Sequence, residues 1–239
     1  MVGRYSGNEY LEDHPDWHDS DAAWKAGHVA ELITRNGLSP KTLADVGCGA
    51  GGALKSLAKL FPGIERLDGY DIAPRAIDLA RSGRFDERLT FQVQEFAASS
   101  GPSYDILLAL DVIEHVEDYF GFLRKIRPRA RHAIFHIPLD MHAAGVLFDA
   151  QMTARDAVGH LHYFSKSTAL RTLEDTGYRP FDSILTAGAL ELDNDATRGW
   201  KARAARIPRR LMHAVSPDFA ARALGGFSLM VLATTSDDD

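Results

Sequence analysis

Cysteine is nearly absent: the 239-residue chain has one, Cys48. A lone cysteine forms no disulfide within the chain, excludes cysteine-rich zinc sites and suits a reducing compartment. No apolar run reaches the roughly 18 residues that a membrane-spanning helix needs. The opening residues, MVGRYSGNEYLEDHPDW, hold no apolar signal core. A cytoplasmic protein without stable membrane insertion is the expectation. Basic charge is not in surplus either. Lys and Arg number 27 against 33 Asp and Glu, a formal net charge of −6, which argues against a nucleic-acid partner. Internal repeats and low-complexity linkers are also missing. With 45% hydrophobic and 25% charged residues, the chain is ordinary globular material, long enough to bury a core unaided. One domain over residues 1–239 is the simplest account.

What is present is alternation. A helix is predicted over Ala22 to Asn36, with Ser20 or Asp21 as its cap and Trp24, Val29, Leu32 and Ile33 near helical spacing. Strands are predicted at Thr42 to Val46, Arg66 to Tyr70, Leu89 to Val93, Tyr104 to Leu110 and His132 to Ile137. Helices fall between them at Ala53 to Phe61, Ala73 to Ser82 (Pro74 in the first turn) and Tyr119 to Ile126. The near-continuous apolar YDILLAL is what a strand buried on both faces looks like. Five alternations imply a parallel sheet with helices on both faces. Beyond Pro138 the pattern loosens. A short helix at Ala144 to Met152, a Ser165-capped helix to Asp175, and late strands at Tyr178 to Leu185 and Phe227 to Thr234 are expected.

The stretch LADVGCGAGGAL joins the first strand to a helix through glycines at 47, 49, 51 and 52. Glycine permits a tight bend and close approach of a ligand, and the helix start offers free N–H groups. Two readings fit. Gly47-x-Gly49-x-x-Gly52 is a dinucleotide fingerprint, implying an NAD(P)-dependent oxidoreductase. Asp45-x-Gly47-x-Gly49-x-Gly51 implies a different nucleoside cofactor. Asp71, 24 residues beyond Gly47, can hold ribose hydroxyls in either case. Asp45 needs a cationic partner at its strand end, and a cofactor ammonium group would supply one.

Three features break the tie: Asp45, the segment LALDVIEHVEDY after the fourth strand, and HLHYFSKSTALRTLEDTGY before the sixth. LADVGCGAGG, GYDIAP, LTFQVQEF, YDILLALDVIEHVEDY and HLHYFS, in that order, resemble the class I S-adenosylmethionine-dependent methyltransferases, small-molecule type, over about residues 20 to 187. The resemblance implies a Rossmann-like three-layer sandwich. Its seven-stranded, mostly parallel sheet would have an antiparallel last strand. Helical cover insertions would fall at about 139–176 and 193–224.

The resemblance also implies roles. Gly47 and Gly49 would make backbone contacts to the methionine side, and Asp45 would lie beneath the cofactor's amino group. Asp71 would hold the ribose and Ile72 pack on the adenine. Gln94, Glu95 and Phe96 stand where the family usually has Gly-Asp-Ala, with Glu95 reading the adenine amine. Leu110 and Asp111 would lie beside the methyl-bearing sulfur. The helix over about 20–36 resembles a lid, from which Lys25 would reach the cofactor carboxylate; otherwise Trp24 packs on the core and Lys25 is solvated. A non-catalytic cofactor-binding protein of the same fold stays open.

Methyl transfer to a small-molecule acceptor, most simply at oxygen or nitrogen, is helped by a base near neutral pH. His115 and His160 are the leading candidates. His136, inside an apolar strand, reads as a satisfied core residue. The spacing His160-x-His162 suits two metal ligands on one strand face or residues lining the pocket. The second is the expectation, and no metal is predicted. Tyr10, Trp17, Met141, Phe148 and Tyr163 are either acceptor walls or ordinary cover. Residues 193–224 carry seven bases against three acids. There Trp200, Ala204, Ile207 and Leu211 form one helical face, the inner side of a cover helix. Alternatively the bases dock an anionic or carrier-linked acceptor. Nothing after the fourth strand resembles the Asn-Pro-Pro-Tyr type of motif that nucleic-acid amino methylation uses.

Overall fold

The structure, a computed structural model, describes residues 21–82, 86–192 and 200–235. Tyr10 and Trp17 lie outside them. Among the described residues seven strands form one sheet in the order β3-β2-β1-β4-β5-β7-β6. They are β1 (Thr42–Val46), β2 (Arg66–Asp71), β3 (Leu89–Val93), β4 (Tyr104–Leu110), β5 (Ala130–Pro138), β6 (Arg179–Thr186) and β7 (Ser228–Thr234). β7 runs antiparallel to both neighbours, β5 and β6, and the other pairings are parallel. The expected α/β class, strand count and antiparallel last strand are borne out.

Two apolar layers sandwich the sheet. In β4, Ile106 and Leu108 face one layer while Leu107 and Ala109 face the other. This is the two-period of a strand buried on both sides. β7 does the same: Met230 and Leu232 go one way, Leu229, Val231 and Ala233 the other. Helix α1 (Ala22–Arg35) lays Ala26, Val29, Leu32 and Ile33 into the first layer. It packs on α2 (Gly52–Leu60) and reaches β6 and β7. It is therefore part of the core.

Local chemistry sets the other boundaries. Pro74 opens α3 (Pro74–Arg81), where its missing N–H costs nothing. Asp118 caps α4 (Tyr119–Ile126) by accepting from the Gly121 N–H at 2.8 Å. Ser165 caps α7 (Lys166–Asp175), with Thr168 completing a reciprocal capping box.

Two expectations change. The single helix predicted over Ala144 to Met152 is two, α5 (Ala143–Leu147) and α6 (Ala150–Ala157), because Asp149 takes φ +55° and breaks the run. Beyond α8 (Gly188–Glu191), the basic stretch forms α9 (Trp200–Val215) and α10 (Pro217–Leu224). The face assigned to the inside of α9 points outward: Ile207 and Leu211 are each 66% exposed. The side chain of Trp200 lies outside the described residues. Carbonyls at the end of α8 and in the turn after α10 decide the matter. Arg206 donates to the carbonyl of Leu190 at 2.8 Å and Arg209 to that of Gly225 at 3.0 Å. His213 stacks on Phe227 with ring centroids 5.6 Å apart. Spaced at helical intervals, these three turn α9 so that its other side meets solvent.

Candidate functional site

The strand order reverses between β1 and β4, and ligands of open α/β sheets settle in the crevice at such a switch point. A cavity of about 540 Å³ lies there, at the carboxyl ends of β1, β2, β4 and β5. The loop after β1 forms its floor. Gly47 has φ +76°, and a Cβ there would come within 2.7 Å of Val112 Cγ2. Gly51, in the left-handed region at φ +77°, starts α2, and a Cβ there would strike the Phe91 ring at 2.5 Å. Both positions thus need glycine for conformation and for space. The Gly47 N–H donates to the Tyr70 carbonyl at 2.8 Å, tying the loop to β2.

Asp71 organises the same loop from the far side. Its Oδ2 accepts from the Gly49 N–H at 2.9 Å and its Oδ1 from the Ala73 N–H at 2.8 Å. Each oxygen keeps a second lone pair for a ligand hydroxyl. Burial pushes the Asp71 carboxyl up, and these N–H groups pull it back. Asp45 is 2% exposed, and its Oδ1 has no hydrogen-bond partner. Burial and the neighbouring Asp71 charge push its pKa up to about 8, against the pull of Lys25. An orphaned carboxylate oxygen in a cavity wall is a costly feature unless a cation or donor meets it.

Across the cavity runs a chain of charges. Lys25 Nζ lies 3.0 Å from Asp21 and 2.6 Å from Asp111. Burial alone would lower the Lys25 pKa, but the two carboxylates outweigh it and hold the ammonium form. The Nδ1–H of His136 donates to Asp111 Oδ1 at 2.6 Å, and its Nε2 lies 3.0 Å from Thr186 Oγ1. Burial would raise Asp111, yet His136 and Lys25 hold it well below the usual carboxylate range. Asp111 itself takes φ +55°, a strained position for a residue with a side chain. His136 is the satisfied residue expected, and it also lines the cavity. Lys25 was expected to await a cofactor carboxylate; it lines the wall already engaged by two acids.

The far wall brings the two histidine segments together. The backbone N–H groups of Leu161 and His162 donate to the Glu114 carbonyl at 2.7 and 3.2 Å. That clamps HLHYFS over the turn DVIEHV. The His160 Nδ1–H donates to Asp140 Oδ2 at 2.6 Å, and the His115 Nδ1–H to the Gly159 carbonyl at 3.2 Å. The two rings stand edge to face, 4.9 Å apart. Glu114 is 0% exposed, and neither of its carboxylate oxygens has a hydrogen-bond partner. Burial and Asp111 push its carboxyl well up.

Ten of the predicted site residues therefore line one cavity: Lys25, Asp45, Gly47, Gly49, Asp71, Ile72, Leu110, Asp111, His115 and His160. Gln94, Glu95 and Phe96 do not. Glu95 is exposed, and Phe96 is buried in the core against Tyr70, with Arg129 over its ring at 4.1 Å. A large aromatic where the family has a small residue gains more from the core than from a cavity rim. Met141, Phe148 and Tyr163 are also absent from the wall, and Phe148 is 80% exposed. His160 and His162 part company. The segment between α6 and α7 is not a strand, and His162 turns away to the Val116 carbonyl at 3.0 Å. Sequence reasoning missed the Glu114 side chain and Asp140. The signal for Glu114 was an acid inside the apolar DVIEHV; for Asp140 it was an acid right after a buried strand.

A family of proteins described as a methyltransferase domain matches residues 17–182. The chain belongs to that family. The methyltransferase domain has curated relatives as well. It is 27% identical over 146 residues to the ubiquinone biosynthesis O-methyltransferase of Bordetella parapertussis. That alignment covers 55% of this chain and 59% of the relative, so less than two thirds of the relative's length is spanned. Among solved structures, it resembles a Haloferax volcanii putative methyltransferase complexed with the Trm112 activator, at TM-score 0.68 and 18% identity over 95% and 96% of the two chains. Magnesium protoporphyrin IX methyltransferase from Synechocystis PCC 6803, with bound SAH, aligns at TM-score 0.60 and 18% identity over 98% and 91%. Likenesses at that identity bear out the class I fold. The recognition and the enzyme class read from the sequence agree with the family match.

Proposed function

We propose that the domain transfers a methyl group from S-adenosylmethionine to a small-molecule acceptor, at oxygen or nitrogen. One observation carries the choice of donor: the buried Asp45 oxygen without a partner, between the glycine loop and Asp71. A dinucleotide pyrophosphate would bring negative charge to that carboxylate, whereas an α-ammonium group satisfies it. Bound there, S-adenosylmethionine supplies a methyl group already activated by its sulfonium.

The chain's own part is placement and dryness. The backbone at Gly47 and Gly49 allows close approach of the methionine side. Asp71 holds the ribose hydroxyls, and Ile72 covers one adenine face. Asp111, held by Lys25 and His136, marks the transfer end beside Leu110. His115 and His160 stand beyond it and deal with the proton that an acceptor hydroxyl or amine gives up. In both rings a carbonyl or carboxylate holds the Nδ1–H, which leaves Nε2 as the basic atom. Gln94, Glu95 and Phe96 take no part in this reading. No helix of the described residues is long and apolar enough to cross a membrane. A cytoplasmic location rests on the lone cysteine alone, and an anionic or carrier-linked acceptor on the exposed Arg210 and Arg222.

Calorimetric titration with S-adenosylmethionine, S-adenosylhomocysteine, NAD and NADP tests the donor. Micromolar binding of the first two, lost in Asp71→Ala, supports the reading. Binding of a nicotinamide cofactor alone overturns it.

A further inference from the structure

We infer that Glu114, His115 and His160 form a binding site for one divalent transition-metal ion in the acceptor wall of the cavity. The three side chains each offer one ligand atom, and these atoms all lie within 4.8 Å of one another. Glu114 Oε1 and His115 Nε2 are 3.9 Å apart. Ligands 2.0–2.2 Å from a tetrahedral zinc stand roughly 3.3 Å apart, so modest side-chain rotation closes the set. Two imidazoles with one carboxylate suit Zn²⁺, Mn²⁺, Fe²⁺ or Co²⁺ better than the hard, oxygen-loving Ca²⁺ or Mg²⁺.

An independent observation points to a ligand. The Glu114 side chain is 0% exposed and both its oxygens are unpartnered. A wholly buried carboxylate with no donor is expensive to keep; a bound cation removes the expense. The outer contacts agree. A ring whose Nδ1–H is held by a carboxylate or a carbonyl presents the Nε2 lone pair to a metal, and such partners orient metal-binding histidines generally. Asp140 does this for His160 and the Gly159 carbonyl for His115. The Leu161 and His162 N–H bonds to the Glu114 carbonyl fix both segments in that register. The ligands come from one turn and one loop joined by backbone, so the site does not depend on a long-range accident of packing.

The sequence alone predicts no metal; the orphaned Glu114 carboxylate beside two oriented imidazoles points to one. Metal binding here does not depend on methyl transfer, whereas the ion's role rests on the proposed function. If the domain methylates an acceptor hydroxyl, three protein ligands leave coordination positions for that oxygen. A Lewis acid there lowers the hydroxyl pKa, as it does for bound water. His115 and His160 would then act through the ion rather than as free bases.

The test uses Co²⁺ as the probe on the chelator-treated 239-residue chain, followed by visible d–d absorption and calorimetry. One equivalent should bind with an absorption band. The band should disappear in Glu114→Gln and in His160→Ala. Asp140→Asn, altering only a positioning residue, should weaken Co²⁺ binding by about 10- to 100-fold. S-adenosylhomocysteine binding in each variant shows that the fold survives, and His160→Asn serves if Glu114→Gln does not fold. Wild-type protein that binds no Co²⁺, or binds it as well as the His160 variants do, overturns the inference and leaves the donor reading intact. Loss of S-adenosylhomocysteine binding in wild type would sink the donor reading instead, with the Co²⁺ result unaffected.

Discussion

Asp45 ties donor affinity to pH. In the ligand-free protein its carboxyl titrates at about 8, because burial and Asp71 oppose its charge. An ammonium ligand needs the ionised form. With a pKa of about 8, the apparent Kd exceeds its limiting value by about 100-fold at pH 6, about 11-fold at pH 7 and about twofold at pH 8. Calorimetry with S-adenosylhomocysteine should therefore show about 50-fold tighter binding from pH 6 to pH 8. At pH 7, buffers of different ionisation enthalpy should reveal close to one proton released per ligand. Asp45→Asn should lose both effects and bind more weakly at pH 8. The loss is the charged hydrogen bond, about 1.5–3 kcal/mol or about ten- to a hundredfold. The same group acts on stability. Its folded-state pKa is raised, so its contribution is full below the unfolded value, about 3.8 in the absence of perturbation, and is lost as pH rises through about 8. Ligand-free protein should melt lower at pH 8.5 than at pH 6, and bound ligand should narrow the difference. A Kd that stays constant from pH 6 to 8, or an unchanged slope in Asp45→Asn, refutes the placement of the amino group.

Three further outcomes are expected. Gly47→Ala forces a side chain into φ +76° and within 2.7 Å of Val112; it should cost about 1–3 kcal/mol by chemical denaturation, with Val112→Ala in the same chain recovering part of it. Lys25→Met leaves Asp21 and Asp111 short of their shared cation, so urea unfolding should register a loss of about 3–5 kcal/mol; a change below about 1 kcal/mol would mean that water compensates the pair. Leu232→Ala opens a hole in a fully buried strand and should cost about 2–5 kcal/mol while leaving the Kd for S-adenosylhomocysteine unchanged.

The sheet was legible because its signals are local. YDILLAL marks β4 to the residue, Pro74 marks the start of α3, and Ser165 with Thr168 marks α7. The donor half of the cavity was legible for a related reason: Asp45, Gly47, Gly49 and Asp71 lie at strand ends and in one tight loop, where position follows from the strand. The far wall was not. How the Glu114 turn is held against the histidine loop, or which way α9 turns, is decided by partners remote in sequence: the Leu161 N–H for the one, the carbonyls of Leu190 and Gly225 for the other. Periodicity registers how apolar a face is, and it is blind to an arginine that must reach a particular carbonyl. Phe96 failed for a simpler reason, since a family pattern does not reveal when a larger side chain has found a better place in the core.

The place of β7 bears on how the molecule is made. It is the last in sequence of the seven strands among the described residues, yet it lies between β5 and β6. While the polypeptide emerges, β5 and β6 have no shared partner, and each carries an open backbone edge. Thr186, which meets His136, is separated from β5 by the strand still to come. A growing chain would hold the donor loop in near-final form well before the far end of the crevice closes. Closure of the crevice therefore arrives with β7 rather than gradually, and arrested synthesis upstream of residue 228 would yield a species prone to pairing its bare edges with other chains.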